Sequence, residues 1–285
     1  MKRYLFAAVA ALAFGGPAIA DPTPQEIDEI KAMHPITPDA ARLPSHSTIG
    51  HLRPSFKVVL GHDAIRYREI ADAGADPETE ADAIGSEGKS ELIYVWTNDG
   101  YVSIDDWKNL NPDELLNTVK ENTAAANEVR RSKGIPTLEV AGWIQKPTLD
   151  PANNAVTWAF KAKASDGVEV INAIALKLGR FGYERITWIG DPTLYQSSND
   201  LALAVKDFNF DQGARYGDYE VGKDRLAAYG VAGLVGGIIA GKAANVGMLA
   251  ALVVAGKKFA VVIGVGAVAL LSRVKSLFRR KTQTS

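Results

Sequence analysis

Cysteine is absent from all 285 residues. That absence excludes thiol catalysis, disulfides and cysteine-ligated metal sites. A domain of roughly 200 residues buries enough apolar surface to stand without disulfides, so export to an oxidising compartment stays open. Histidine is nearly as scarce. The four present (His34, His46, His51 and His62) all precede residue 63. A Ser-His-Asp triad or a histidine metal site would have to draw one of them back across the domain. H-E-x-x-H, G-x-S-x-G and G-x-x-x-x-G-K-[ST] patterns are missing, so no cofactor or metal is expected.

Acidic residues are missing from both ends. The first twenty residues carry Lys2 and Arg3, and the stretch after Leu226 carries eight bases, with no acid in either. Removing those ten bases from the 32 leaves 22 against all 33 acids, so the body is strongly acidic although the whole chain is at −1. An acidic body argues against nucleic acid as a partner, because phosphate binding needs a positive footprint.

The two ends set an address. Met1-Lys2-Arg3, an apolar run from Leu5 to Phe14, a Gly15-Gly16-Pro17 breaker and Ala18-Ile19-Ala20 compose a secretory signal with cleavage expected after Ala20. The C-terminal stretch is apolar in three blocks, Leu226 to Gly241, Ala243 to Gly256 and Phe259 to Leu271, divided by Lys242 and Lys257-Lys258. Arg273, Lys275, Arg279, Arg280 and Lys281 follow as a stop-transfer cluster that belongs on the cytoplasmic side. The expectation is one full span ending at Arg273, a body in the periplasm and an address at a bacterial inner membrane. Gly233, Gly237 and Gly241 lie four apart, a small-residue row that permits close helix–helix approach within the chain or in a homo-oligomer.

Between the ends, Pro35, Pro38 and Pro44 break a leader that opens with a short helix from Pro24. Asp72 to Lys89 reads as an acidic surface loop. Leu92 to Thr97, the Asn98-Asp99-Gly100 turn and Tyr101 to Ser103 read as a hairpin. Asn111-Pro112-Asp113-Glu114 starts a long helix with its cap, first-turn proline and third-position acid. Strands follow over 138–144, 156–162, 168–176 and 183–189, joined by short connections that make neighbours antiparallel. Asn199 to Phe208 reads as a helix. The fold class is therefore α+β: an antiparallel β-meander covered by one or two helices, followed by a C-terminal hydrophobic helical membrane anchor. The resulting division is a signal peptide over 1–20, a Pro-rich leader over 21–55, a soluble domain over 56–218, a juxtamembrane hinge over 219–225, a membrane segment over 226–272 and a basic tail over 273–285.

Several motifs run in order through the body: Gly100-Tyr101-Val102 with Asp105-Asp106-Trp107, Ala141-Gly142-Trp143, Val156-Thr157-Trp158-Ala159, Ile171-Asn172, Leu178-Gly179-Arg180-Phe181-Gly182, Gly213 through Tyr219, Gly222-Lys223-Asp224 and Ala228-Tyr229-Gly230. In these the chain, from about Ile93 to Gly237, resembles an uncharacterised family of bacterial membrane-anchored proteins defined by a domain of unknown function. The resemblance implies a signal peptide, a soluble domain and a Gly/Ala-rich hydrophobic C-terminus, and brings no activity.

Among these residues the candidates for a ligand or partner surface are Asp105, Asp106, Trp143, Trp158, Arg180, Arg215 and Tyr216. Each has a plainer alternative. Paired acids more often cap a turn than catalyse. Strand tryptophans more often pack than line a groove. Arg180 more readily forms a structural salt bridge in an acidic body than an anion site, and Arg215 and Tyr216 suit a lipid interface. The reading favoured is a non-enzymatic binding or assembly module of the envelope, with membrane lipid and a protein or second copy as partners. The alternatives are an envelope hydrolase using the Asp105, Asp106 or Asp218 carboxylates, and a subunit of an oligomeric transport assembly.

Overall fold

The computed structural model describes residues 24–33, 35–36, 41–50, 56–72, 82–87, 90–132 and 136–239. Alternating apolar residues build a seven-stranded sheet from β3 (Lys57–Leu60), β4 (Ala83–Glu87), β5 (Ser90–Thr97), β6 (Leu138–Asp150), β7 (Ala155–Ala164), β8 (Glu169–Leu178) and β9 (Tyr183–Gly190). The order is β3-β4-β5-β9-β8-β7-β6 and every pairing is antiparallel. Two meanders, β3–β5 and β6–β9, thus meet where β5 pairs with β9. A second sheet of three short strands joins β1 (Arg42–Leu43), β2 (Ser47–Thr48) and β10 (Asn209–Phe210).

Helices cover both faces, because successive strand side chains point to opposite sides and both sides are apolar. One face carries Leu92, Tyr94, Ala173, Ala175, Ile186 and Trp188. It packs against α5 (Asp200–Asp207), through Leu201, Ala204 and Val205, and against the small sheet. α4 (Pro192–Ser198) borders this layer and starts on an Asp191 cap, whose carboxylate accepts the Thr193 N–H at 2.8 Å.

The opposite face is covered in two parts. α1 (Pro24–Ala32) and α2 (Gly61–Asp72) lie toward β3, β4 and β5. α3 (Pro112–Ser132) and α6 (Val231–Ile239) lie over Trp158, Ile174, Leu176, Leu178 and Tyr183. α3 carries the chain from central β5 to edge strand β6. Its start is capped as the sequence indicates: Asn111 Oδ1 accepts the Asp113 N–H at 3.1 Å, and Asn111 Nδ2 donates to Glu114 at 2.8 Å. Such a cap contributes about 1 kcal/mol. At the other end the Asn127 amide bonds both backbone groups of Leu138, fixing helix to sheet.

The α+β class, the antiparallel meander β6–β9 and helices α3 and α5 match the expectation. Five features differ. The leader belongs to the domain, because Ala41, Leu43 and Ile49 are buried in its core. The acidic segment contains β4, inserted between β3 and β5. Tyr101 to Ser103 is no returning strand, since Tyr101 makes a single parallel bridge, to Leu226. The expected hinge at 219–225 is pinned to the body. Finally, the first block of the expected membrane segment begins as part of the core, with Ala227, Val231, Leu234 and Val235 buried. No helix among the described residues is long and apolar enough to cross a membrane, and the span expected to end at Arg273 lies outside them.

Candidate functional site: the seat of the C-terminal stretch

The motif residues scattered through the sequence converge on one end of the sheet, where the β8–β9 turn, the segment after β5 and the stretch 213–230 meet. Tyr101 donates its N–H to Arg225 O and accepts from the Ala227 N–H, both at 2.8 Å, and Val231 N–H reaches Ser103 O at 2.8 Å. Gly100 donates to Phe181 O at 2.9 Å. Its φ is +95°, and an added Cβ would lie 2.5 Å from Arg225 O, so only glycine lets the two backbones approach. Tyr101 is sandwiched between Tyr216 and Tyr219, with centroids 4.5 and 3.9 Å away. Tyr216 donates to Val102 O at 3.0 Å. Tyr229 donates to Asp99, and Arg225 to Asn98 O.

Arg180 is the electrostatic pin. Its guanidinium donates to both Asp224 oxygens, at 2.8 and 3.0 Å, to Glu220 at 3.0 Å and to Gly213 O at 3.3 Å. The fork geometry suits the bidentate pair. The Arg180 bonds, with help from the Glu220 N–H, hold the Asp224 carboxyl below its usual range.

The acid pair separates into two structural roles. Asp105 accepts from Ser103 Oγ at 2.7 Å. Asp106 reaches across to α6 and accepts from the N–H of Ala232 at 3.0 Å and of Gly233 at 3.4 Å. These are orphan donors at a helix start, which an N-cap side chain normally satisfies. The residue preceding α6 is Gly230, which has no side chain. A Cβ there would come within 2.5 Å of the Asp106 oxygens. Asp106 is therefore a cap supplied from 124 residues upstream of the position it replaces, by the numbering of the two residues. Asp218, the third carboxylate of the hydrolase reading, accepts from the Gly213 and Arg215 N–H groups at 2.8 and 3.0 Å.

Of the other candidates, Arg215 is exposed and donates Nε to Phe210 O at 3.4 Å. Trp158 is 1 % exposed in the core under α3 and α6, and Trp143 is half-buried with Nε1 on Pro112 O at 3.1 Å. Trp158 is too deeply buried to line a surface groove. Gly233 is on the exposed side of α6, Gly237 lies in its last turn, and Gly241 is outside the described residues. Among the described residues no three His, Asp or Glu side chains gather as a metal site. A shallow cleft of about 860 Å³ lies between α3 and the β7–β8 turn, lined by Lys120, Asn127, Glu139, Lys163 and Asp166 among others. Its Asn127 amide is already spent on Leu138.

Sequence reasoning missed Glu184. This residue is fully buried, with the Ser45 hydroxyl beside its carboxyl. Burial raises its carboxyl well above the ordinary range; the nearby Ser45 hydroxyl opposes the shift and the Asp82 charge adds to it. The signal was its parity, since Glu184 shares a strand face with Ile186 and Trp188.

A family model described as "Protein of unknown function (DUF2167)" matches residues 50–269. The chain belongs to this family. The match starts well before Ile93, so β3 and β4 fall inside the DUF2167 region together with the seat of the C-terminal stretch. No curated protein matches the chain. Among solved structures, the solution structure of cyanobacterial PsbP (CyanoP) from Synechocystis sp. PCC 6803 is similar with a TM-score of 0.35. The identity is 10 %, over 59 % of this chain and 88 % of that one.

Proposed function

We propose that this DUF2167 protein is a non-enzymatic, membrane-anchored module of the bacterial envelope, its α+β body displayed in the periplasm as a rigid platform for a protein partner. The observation that carries the reading is where the motif residues meet. They converge on the seat of α6, the start of the apolar C-terminal stretch, where Asp106 and Asp218 take backbone N–H groups, Asp224 takes Arg180 and Asp105 takes the Ser103 hydroxyl. A site for bond-breaking chemistry would keep a carboxylate free beside a cleft. Here Asp106 holds α6 to the body and Asp218 braces its own loop, while Asp105 is exposed and bonds Ser103 Oγ. The basic cluster after Ser272 and the apolar blocks before it supply the anchor, with the C-terminus cytoplasmic.

The test uses three chains expressed with the native N-terminus: full length, ending at Ile239, and ending at Leu226. The full-length chain should float with membranes. The chain ending at Ile239 keeps α6 docked and should be released, folded, with a cooperative unfolding transition. The chain ending at Leu226 loses Val231, Leu234 and Val235 from the core, each worth about 1.5–3 kcal/mol when buried, and should aggregate or melt much earlier. Equal behaviour of the two shortened chains would remove the platform reading, and release of the full-length chain would remove the anchor. A reporter active only outside the cytoplasm, silent after Ser285 and active when fused at Gly88, checks the orientation.

A further inference from the structure

Five large apolar side chains are exposed among the described residues: Ile144, Val168, Phe181, Val221 and Leu226. Three of them stand at the seat of the C-terminal stretch. Val221 is 87 % exposed, Leu226 58 % and Phe181 37 %. They are held on fixed backbone. Phe181 O is bonded by Gly100, Leu226 is bridged to Tyr101, and the turn bearing Val221 is clamped by Arg180 through Glu220 and Asp224. Pinned in this way, the three tips keep their places relative to one another.

The surroundings identify the contact. Arg215, Lys223 and Arg225 are exposed on the same stretch; Lys223 pairs with Glu220 and Arg225 bonds Asn98, while Asp218 is held by two backbone N–H groups and Asp224 by Arg180. Tyr216, Tyr219 and Tyr229 are half-buried beside them. Aliphatic tips, exposed basic side chains and tyrosines together are the chemistry of a lipid–water interface, where amphipathic rings and basic heads sit at headgroup level. The position agrees. α6 starts in this seat, and nine helical residues rise only about 13 Å. Ile239 therefore lies within about 13 Å of the start of α6, and the apolar stretch with its basic cluster follows it in sequence.

We propose that the rim formed by Phe181, Val221 and Leu226, with Arg215, Lys223 and Arg225, is a foot that rests in the headgroup layer of the bilayer and fixes the orientation of the body. This rests on the anchored reading above. In this pose the β8–β9 end faces the lipid. The β7–β8 turn, at the opposite end of β8, faces away. A bilayer suits three separated tips, because a fluid interface requires no shape complementarity.

The cysteine-free sequence makes the test clean. Val221→Cys and, as comparison in the β7–β8 turn, Asp166→Cys are each labelled with an environment-sensitive fluorophore in the full-length chain. Both positions are exposed, so neither change threatens folding. The proteins are reconstituted in vesicles of phosphatidylethanolamine with a minority of phosphatidylglycerol. Flotation is read first, then quenching by headgroup-depth spin-labelled lipid and by aqueous iodide. Expected are flotation of both proteins, several-fold stronger lipid quenching at position 221 than at 166, and the reverse order with iodide. Flotation with equal quenching at both positions overturns the foot while leaving the anchor intact, and assigns the rim to a protein partner. Failure to float overturns the anchor and the foot together.

Discussion

Moving the α6 cap from Asp106 to residue 230 isolates the contact on which the seat depends. In the native chain the Asp106 carboxylate accepts from the Ala232 and Gly233 N–H groups, and it occupies the space that a side chain on Gly230 would need. Asp106→Ala should cost about 1–2 kcal/mol, the usual value of an N-cap. Gly230→Ala alone should cost a similar amount or more, because its methyl displaces the carboxylate. In the Asp106→Ala background the same methyl meets no carboxylate, so the double variant should be little worse than Asp106→Ala. The non-additivity is thus expected at about 1–2 kcal/mol, within the range seen for residues in contact. Asp106→Ala with Gly230→Ser should regain about 1 kcal/mol by returning the cap to its own helix. Hydrogen exchange at the Ala232 and Gly233 amides reads this directly, with a tenfold faster rate for each 1.4 kcal/mol lost through local opening. Strict additivity of the two single changes would refute the argument, since it would mean that carboxylate and glycine do not share one space.

Glu184→Gln should stabilise the protein at neutral pH. A carboxyl whose folded pKa is raised binds its proton more tightly in the folded state. Stability is then greatest at and below the ordinary carboxylate range and falls as pH rises toward the folded value, by up to about 1.4 kcal/mol per pH unit. Urea unfolding from pH 4 to 8 should show that slope in the wild type and a flatter one in the variant. Asp224 has the opposite sign, because Arg180 depresses its pKa. Its contribution is present above the ordinary carboxylate range and lost as pH falls through the folded value, and Arg180→Lys should blunt that acid loss in the same titration. Trp158→Ala should cost about 3–5 kcal/mol in thermal or urea unfolding, the price of a large buried aromatic; a small loss would restore Trp158 as a surface residue.

Much of the sheet was legible because local and tertiary preferences agree. Strands β7, β8 and β9 are apolar runs joined by short turns, and Asn111-Pro112 announces α3 with every signal in place. β4 was not legible, since Ala83, Ile84 and Gly85 follow an acidic, small-residue run and gain strand character only from pairing with both β3 and β5. The Asn98-Asp99-Gly100 sequence misled for a physical reason. It has the composition of a hairpin turn, yet its carbonyl and carboxylate groups are taken by Arg225 and Tyr229, distant in sequence. For the candidate site, residue types were readable and partners were not. Asp106 is a cap, but of a helix the sequence assigns to another compartment. Arg180 is a structural pair, with Asp224 and Glu220 as the acids. Tyr101 at the centre of the stack gave no local sign of its role.

The most instructive ambiguity is α6. A run of valine, leucine, glycine and alanine satisfies a bilayer and a protein core equally, because both are apolar solvents. What separates them is asymmetry around the helix. Val231, Leu234 and Val235 recur at the i, i+3, i+4 spacing of a single buried stripe, while Gly233 faces out. Three of the nine residues are glycine, each about 1 kcal/mol poorer than alanine in a helix interior. Such a helix has little stability of its own. Its order depends on the core beneath it, the Asp106 carboxylate at its start and the Arg180 clamp ahead of it. The dependence is mutual, since α6 covers Val102, Leu178 and Tyr183, which would otherwise face water. The domain therefore extends through Ile239, since the residues that seat α6 lie in the core. Residues 219–225, expected as a hinge, are instead held to the body by the Arg180 pairs with Glu220 and Asp224.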